Sequence, residues 1–276
     1  MDFINISEEL NAKWDSLIKE LKSYKSVAVA FSAGVDSTFL LAAARKALGE
    51  NVIAITGRFD TSPTREKDEY SAYCESIGIK HVILDLDQMS IPGFKENTPD
   101  RCYICKKALF SEFRSTAIKM GIDTLAEGTN ADDDNDYRPG MRAIAELGVK
   151  SPLKKCGFTK QEIRQLSKEL GLPTWNKPSL ACLATRFPYG QEITPEKLRT
   201  IDTAEQMLID SGFFNVRVRA HRELARIEVD PAEFDKVINK KITDNIVRYL
   251  KEHGFKYVTL DLEGYSLGSM NRMLDI

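Results

Sequence analysis

The apolar run Val27-Ala28-Val29-Ala30-Phe31 leads directly into Ser32-Ala33-Gly34-Val35-Asp36-Ser37-Thr38, which leads into a helix-compatible stretch ending at Leu48. This order constrains the fold more than any other feature. A strand without polar alternation belongs inside a parallel sheet covered on both faces, and a small-residue loop following it opens on the sheet's carboxyl edge. The unit repeats. Val52-Ile53-Ala54-Ile55 and His81-Val82-Ile83-Leu84 read as strands, and Ser62-Pro63 caps and starts a helix between them that Gly78 can end. A helix near Tyr103 to Met120, a strand at Thr124-Leu125-Ala126 and a helix from Thr159 to Leu170 continue the alternation. The expected fold class is α/β, a doubly wound parallel sheet.

Ahead of this pattern, Leu10, Trp14, Leu17 and Leu21 have helical spacing and predict an amphipathic helix. After it, Gly171, Pro173, Pro178, Pro188 and Gly190 mark a region of turns where a domain boundary is expected. The division is a nucleotide-binding domain over residues 1–188 and a smaller α+β domain over 189–276, suited to substrate binding or oligomerisation. The second domain reads as a helix from Thr194 to Ser211, strands at Val216 to Ala220 and Leu224 to Val229, and a last strand at Tyr257 to Leu262.

The 276 residues carry a net charge of -2, which provides no global attraction to nucleic acid and favours small-molecule substrates. No apolar run reaches the ~18 residues of a membrane span, and the first residues lack the basic-then-apolar layout of a secretory signal, so a cytoplasmic location is expected. Five cysteines, an odd number in such a chain, argue against a disulfide framework and toward metal or thiol chemistry.

The loop after the first strand points backbone N–H groups and a helix dipole at one spot, where an anion belongs. Ser32, Ala33, Gly34, Val35, Asp36 and Ser37 are the candidate nucleotide ligands, with hydroxyls from Ser32, Ser37 and Thr38 adding hydrogen bonds. No lysine precedes Ser37, so the loop is not a Walker A loop. It resembles the Ser-Gly-Gly-x-Asp-Ser loop of PP-loop ATP pyrophosphatases, which implies ATP with Mg2+, held by its pyrophosphate while a substrate oxygen attacks the α-phosphorus. Ala33 stands where that pattern has glycine. Glu127-Gly128-Thr129-Asn130-Ala131-Asp132-Asp133 follows another predicted strand and should open on the same edge, with Gly128 beside the nucleotide.

Cys102 and Cys105, three residues apart, can converge on one centre, and Cys182 in a Pro- and Gly-bounded loop is a third candidate ligand. Cys74 and Cys156 read as structural. Together with Asn97-Thr98-Pro99-Asp100, Asn135-Asp136-Tyr137-Arg138-Pro139-Gly140, Trp175-Asn176-Lys177, Arg186-Phe187-Pro188-Tyr189-Gly190 and Val216-Arg217-Val218-Arg219, these residues resemble the LarE family from about Tyr24 to Asn271. LarE enzymes are sulfur insertases of nickel-pincer nucleotide biosynthesis. The resemblance implies adenylation of a carboxylate of pyridinium-3,5-biscarboxylate mononucleotide and its conversion to a thiocarboxylate.

Within that family, one branch gives up the sulfur of a lone cysteine at the position of Cys182. The other holds a [4Fe-4S] cluster on three cysteines, and Cys102, Cys105 and Cys182 match this second pattern. The resemblance also implies that Arg217 and Arg219, alternating on one strand face, grip the mononucleotide phosphate, and that Arg186 and Lys106 meet carboxylates or ATP phosphates. Glu205 and Glu228 match positions that bind a divalent ion in relatives, although the third ligand of that set does not align. A homo-oligomer is expected, and the source of sulfide is open. Two other readings stand beside this one: a tRNA thiolation enzyme of the same superfamily, and a non-catalytic ATP-binding module. The first should carry zinc ribbons or a basic RNA-binding appendage, which this chain lacks, and the second has no need of three clustered cysteines.

Overall fold

The computed structural model describes residues 6–59, 61–62, 69–135, 139–178 and 181–266. Pro63, Asp136 to Arg138, Ser179, Leu180 and Asn271, all invoked above, lie outside the described residues. Two compact units result: residues 1–59, 65–86 and 102–179 form the first, and 60–64, 87–101 and 180–276 the second. The division therefore falls earlier than 188, and two short insertions join the second unit. The reason is local. Asn97, fully buried, donates from Nδ2 to the carbonyls of Phe187 and Pro188 at 3.2 and 2.7 Å, while Gly190 N donates to the Asn97 carbonyl at 2.9 Å. These bonds tie the Asn-Thr-Pro-Asp segment to the Arg-Phe-Pro-Tyr-Gly segment.

In the first unit the strands β1 (Val27–Ala30), β2 (Val52–Arg58), β3 (Lys80–Asp85) and β4 (Leu125–Ala126) form a fully parallel sheet in the order β3-β2-β1-β4. Val27 and Val29 face one apolar layer, built with α1 (Glu8–Lys22), α2 (Val35–Leu48), α3 (Glu69–Ser76) and later α7 (Lys160–Glu169). Ala28, Ile53 and Ile55 face the other, built with α4 (Arg101–Lys119) and α5 (Gly140–Glu146), before the short α6 (Pro152–Lys155). Two cores on opposite faces make the sheet doubly wound, as the uninterrupted apolar strands require. Helix ends follow local chemistry: Thr159 and Glu162 form a reciprocal capping box at the start of α7.

β1 has β2 on one side and β4 on the other, so the chain reverses its direction of winding there. Crevices beyond the carboxyl ends of such neighbouring strands are where ligands bind in open α/β sheets. The loops after β1 and β4 are Phe31 to Gly34 and Glu127 to Asn130.

The second unit contains β5 (Val216–His221), antiparallel to β6 (Leu224–Val229), which runs parallel to β7 (Tyr257–Leu260). α8 (Pro195–Asp210) packs against β5, and α10 (Lys240–Glu252) packs against α8 and β7, following the short α9 (Phe234–Val237). Val216, Val218, Ala220, Ala225, Ile227 and Val229 are buried. The alternate positions on β5 and β6 carry Arg217, Arg219, Arg226 and Glu228, so this sheet has one apolar and one charged face. No helix among the described residues is long and apolar enough to cross a membrane.

Candidate active site

The N-terminus of α2 is the candidate seat for an anion. Its N-cap is Gly34, which supplies no side-chain hydrogen bond, so the first N–H groups of the helix remain available to a ligand. Ser37 Oγ lies 3.1 Å from Ser32 Oγ and donates to the Gly34 carbonyl at 3.2 Å, folding the loop back on itself. Ala33 adopts φ +50°, the left-handed conformation that glycine occupies without penalty. Its methyl group is buried, and its carbonyl accepts a 3.2 Å hydrogen bond from Lys177 Nζ. Thr38 departs from expectation: its hydroxyl is fully buried and makes no hydrogen bond among the described residues.

The loop after β4 closes against this seat. A Cβ on Gly128 would stand 3.0 Å from the backbone nitrogen of Ser37 and 3.2 Å from the carbonyl carbon of Asp36, so only glycine permits the approach. Asn130 Nδ2 donates to Asp36 Oδ1 at 3.4 Å, and Lys160 Nζ pairs with Asp36 Oδ2 at 2.5 Å. Asp132 accepts from the Lys160 backbone nitrogen at 2.8 Å, binding loop and α7 together. Glu127 accepts from the Thr129 backbone and hydroxyl at 3.1 and 2.7 Å and also from Ser151 Oγ. Behind the loop, Thr56 Oγ1 donates to the Phe31 carbonyl at 2.7 Å and lies 2.8 Å from His81 Nε2, whose imidazole burial holds below its usual pKa. With its own hydrogen spent on Phe31, Thr56 accepts from His81.

Lys160 is not singled out in the sequence, and Lys177 enters only within the Trp175-Asn176-Lys177 motif, with no role at the phosphate loop. Each lies more than a hundred residues from its partner in the loop, and a lysine opening a helix reads as a solvated charge. Lys106 on α4 lies with its stem over Gly140, where an added Cβ would stand 2.6 Å from Lys106 Cδ.

In the second unit, Arg186 differs from expectation. It is fully buried, gripping Glu205 through Nε and Nη2 at 2.7 and 2.9 Å, and donating from Nη1 to the carbonyls of Ala181 and Cys182 and to Thr185 Oγ1. Burial opposes its charge, yet Glu205 raises its pKa. Burial would likewise raise the pKa of Glu205, but Arg186, Arg217 and the Val218 N–H bring it below the ordinary carboxylate value. Glu205 and Glu228, expected to ligate a divalent ion, are instead engaged by guanidinium groups. Glu228 accepts from Arg219 at 2.8 Å and from Arg226 at 2.9 Å.

Arg217 lies over the Tyr265 ring at 4.9 Å and donates to the Val216 carbonyl, with its pKa depressed to about 10 by burial and by Arg186 beside it. Arg226 also reaches Asp261 at 3.4 Å. Arg186, Arg217, Arg219 and Arg226 thus cluster with Glu205, Glu228 and Asp261, an excess of one positive charge that suits an anionic ligand.

Cys182 is exposed at the head of a 3₁₀ turn, Leu183–Arg186, whose last residue is that buried arginine. Cys102 and Cys105 are half-buried and three apart on α4, hence on one helix face. In kind, these thiols fit an iron–sulfur donor set. Among the described residues, however, no three His, Cys, Asp or Glu side chains gather as a metal-binding group. Cys74 is fully buried, and burial with Glu75 nearby pushes its thiol up to about 12; burial also raises Cys156, which accepts weakly from Ser16 Oγ.

The family model described as queuosine biosynthesis protein QueC matches residues 26–118. Over nearly its whole length the chain is 38% identical to the pyridinium-3,5-bisthiocarboxylic acid mononucleotide synthase of Lactiplantibacillus plantarum, covering 96% of each chain. The chain belongs to the LarE family. An uncharacterised Synechocystis protein is 39% identical over 96% of this chain and 99% of its own. A tRNA-specific 2-thiouridylase of Hydrogenobaculum is 30% identical over 182 residues, 55% of this LarE-family chain and 53% of the relative. The doubly wound sheet, with an uncapped helix following β1, is the PP-loop architecture expected of the family.

Proposed function

We propose that this LarE-family protein is an ATP-dependent sulfur insertase acting on pyridinium-3,5-biscarboxylate mononucleotide. ATP with Mg2+ binds at the N-terminus of α2. A substrate carboxylate oxygen attacks the α-phosphorus, the bond from that phosphorus to the α,β-bridging oxygen breaks, and pyrophosphate leaves with the β,γ-bridge intact. The acyl adenylate is an electrophile that the free carboxylate is not, so a sulfur nucleophile can add to its carbonyl carbon and expel AMP. Asp36, Lys160 and the N–H groups of α2 serve the leaving pyrophosphate; Arg217 and Arg219 take the mononucleotide phosphate; Lys106 is the cation for a carboxylate or ATP phosphate. Arg186 acts at one remove, fixing the loop that presents Cys182, and Glu205 and Glu228 orient the arginines.

The observation that carries the reading is the exposed Cys182 thiol at the head of a turn anchored by a fully buried Arg186–Glu205 pair. A sulfur centre so held is pre-organised without being enclosed. The three-cysteine pattern favours a [4Fe-4S] cluster on Cys102, Cys105 and Cys182 over sacrifice of Cys182. When bound, such a cluster offers an open iron site to exogenous sulfide.

Anaerobic purification followed by iron and sulfide analysis and electronic absorption, with parent and Cys102→Ala compared, tests the cluster. Iron in the parent and its loss in the variant are expected; a parent that binds no iron returns the sulfur source to Cys182 itself. Pyrophosphate release dependent on the biscarboxylate mononucleotide tests adenylation separately, and its absence would leave only an ATP-binding module.

A further inference from the structure

A cleft of about 520 Å³ in the second unit is lined by Pro188, Tyr189, Gly190, Gln191, His221 and Arg222. Its walls are built. The Asn97 bonds already described hold the Phe187 to Gly190 turn, and Arg101, itself buried, donates to Asn97 Oδ1 and to the Ala184 carbonyl. Gln191 accepts the Arg222 backbone N–H through Oε1 at 3.0 Å, which leaves its amide hydrogens to a ligand.

Arg222 opens the two-residue turn between β5 and β6 and holds φ +55°. A left-handed non-glycine residue costs free energy, and here it sets a guanidinium at the cleft. His221 lines the cleft, with Nε2 buried beneath its surface and without a hydrogen bond among the described residues, so a turn of the ring is what brings that nitrogen to a ligand.

His221 also continues the face of Arg217 and Arg219. Alternate strand residues recur every ~6.6 Å, so the cleft begins one such step beyond the arginine pair. That step is about the reach from a mononucleotide phosphate to its base.

Resting on the proposed function, we infer that this cleft holds the carboxylated pyridinium ring of the mononucleotide. The Arg222 guanidinium and His221 bind a ring carboxylate, and the Tyr189 ring receives the positive face of the pyridinium. The match is chemical: carboxylates need donors, a cationic ring suits an aromatic face, and both are present in one cleft.

The test measures Kd of the full chain for pyridinium-3,5-biscarboxylate mononucleotide and for nicotinamide mononucleotide, whose ring carries a neutral carboxamide and no carboxylate. The parent should prefer the first. Arg222→Gly removes the guanidinium at a backbone position glycine favours, so the variant should fold. It is expected to weaken the biscarboxylate roughly five- to tenfold and leave the carboxamide mononucleotide unchanged, consistent with loss of one exposed charge-assisted hydrogen bond. His221→Ala should lower the same preference. A parent that binds both equally, or variants that weaken both equally or neither, would overturn the assignment while leaving the functional reading intact. A parent that binds neither mononucleotide overturns both.

Discussion

Lys177 Nζ donates to the carbonyl oxygen of Ala33 at 3.2 Å, bracing the one residue of the phosphate loop that holds a left-handed backbone without being glycine. The strain and its brace occur together. For a residue with a Cβ the left-handed region costs ~1–2 kcal/mol, part of which a glycine would return as unfolded-state entropy. Ala33→Gly should therefore stabilise the chain by about 0.5–1 kcal/mol in urea unfolding, and Ala33→Val should destabilise it. Equal stability of all three would mean that the loop does not hold this conformation in solution.

The Lys160–Asp36 pair is partly exposed, so it contributes little to stability, at most about 1 kcal/mol. Its value lies in placing an ammonium beside the anion seat. Lys160→Ala is expected to raise KM for ATP about tenfold in pyrophosphate-release assays, with the urea midpoint almost unmoved. A large loss of stability with unchanged KM would instead make the pair a structural strut.

Gly128 stands out in the sequence, but the reason it must be glycine is legible only in the folded chain. A methyl group there meets the backbone of Ser37 and Asp36, which cannot rotate away as a side chain would. Gly128→Ala should cost about 1–3 kcal/mol and weaken ATP binding together, because relief requires the loop and the start of α2 to part. An alanine variant with the parent's stability and KM would show that this close approach is not maintained.

The sequence made the sheet legible because apolar strands such as Val27 to Ala30 and Ile53 to Ile55 admit few other placements. It also marked the phosphate loop and the motif residues of the second unit. What it left hidden depends on distance in the chain and on burial. Lys177 reaches Ala33 across 144 residues, and nothing local in Trp175-Asn176-Lys177 announces that contact. The family resemblance and its place near Cys182 make Arg186 an expected anion ligand; the structure shows its guanidinium spent on Glu205 and the Cys182 loop, and arginine is seldom fully buried. The domain edge moved for a similar reason, as Asn97 bonds to residues ninety positions onward.

Arg217 carries a burial cost that fits its proposed binding role. Its folded pKa of about 10 lies below the ordinary value of 12.5, so the folded state disfavours the charged form. The penalty, on the order of 3 kcal/mol, is present throughout the range below about pH 10 and fades as pH rises toward 12.5. Arg217→Met removes it and forfeits a cation–π contact of ~1 kcal/mol, so the variant should be more stable by about 2 kcal/mol. It should also lose thermal protection by inorganic phosphate. Lower stability with phosphate protection retained would place the anion elsewhere.

The Arg186–Glu205 pair should behave in the opposite way when broken. Both side chains are fully buried, and removing one leaves an uncompensated charge costing about 3–5 kcal/mol, whereas replacing both by apolar groups of similar volume is often near neutral. Arg186→Met and Glu205→Leu should each destabilise severely, while the double variant recovers most of the loss. Glu205 also sets an acid limit. Its folded pKa is lowered, so its contribution is complete above the unfolded value near 4.5 and is lost as pH falls through the folded one. Parent stability should consequently drop below about pH 4.5 more steeply than that of the double variant. If the double variant were as unstable as the singles, the pair's hydrogen bonds to the Cys182 loop, and not its charges, would be what holds this region together.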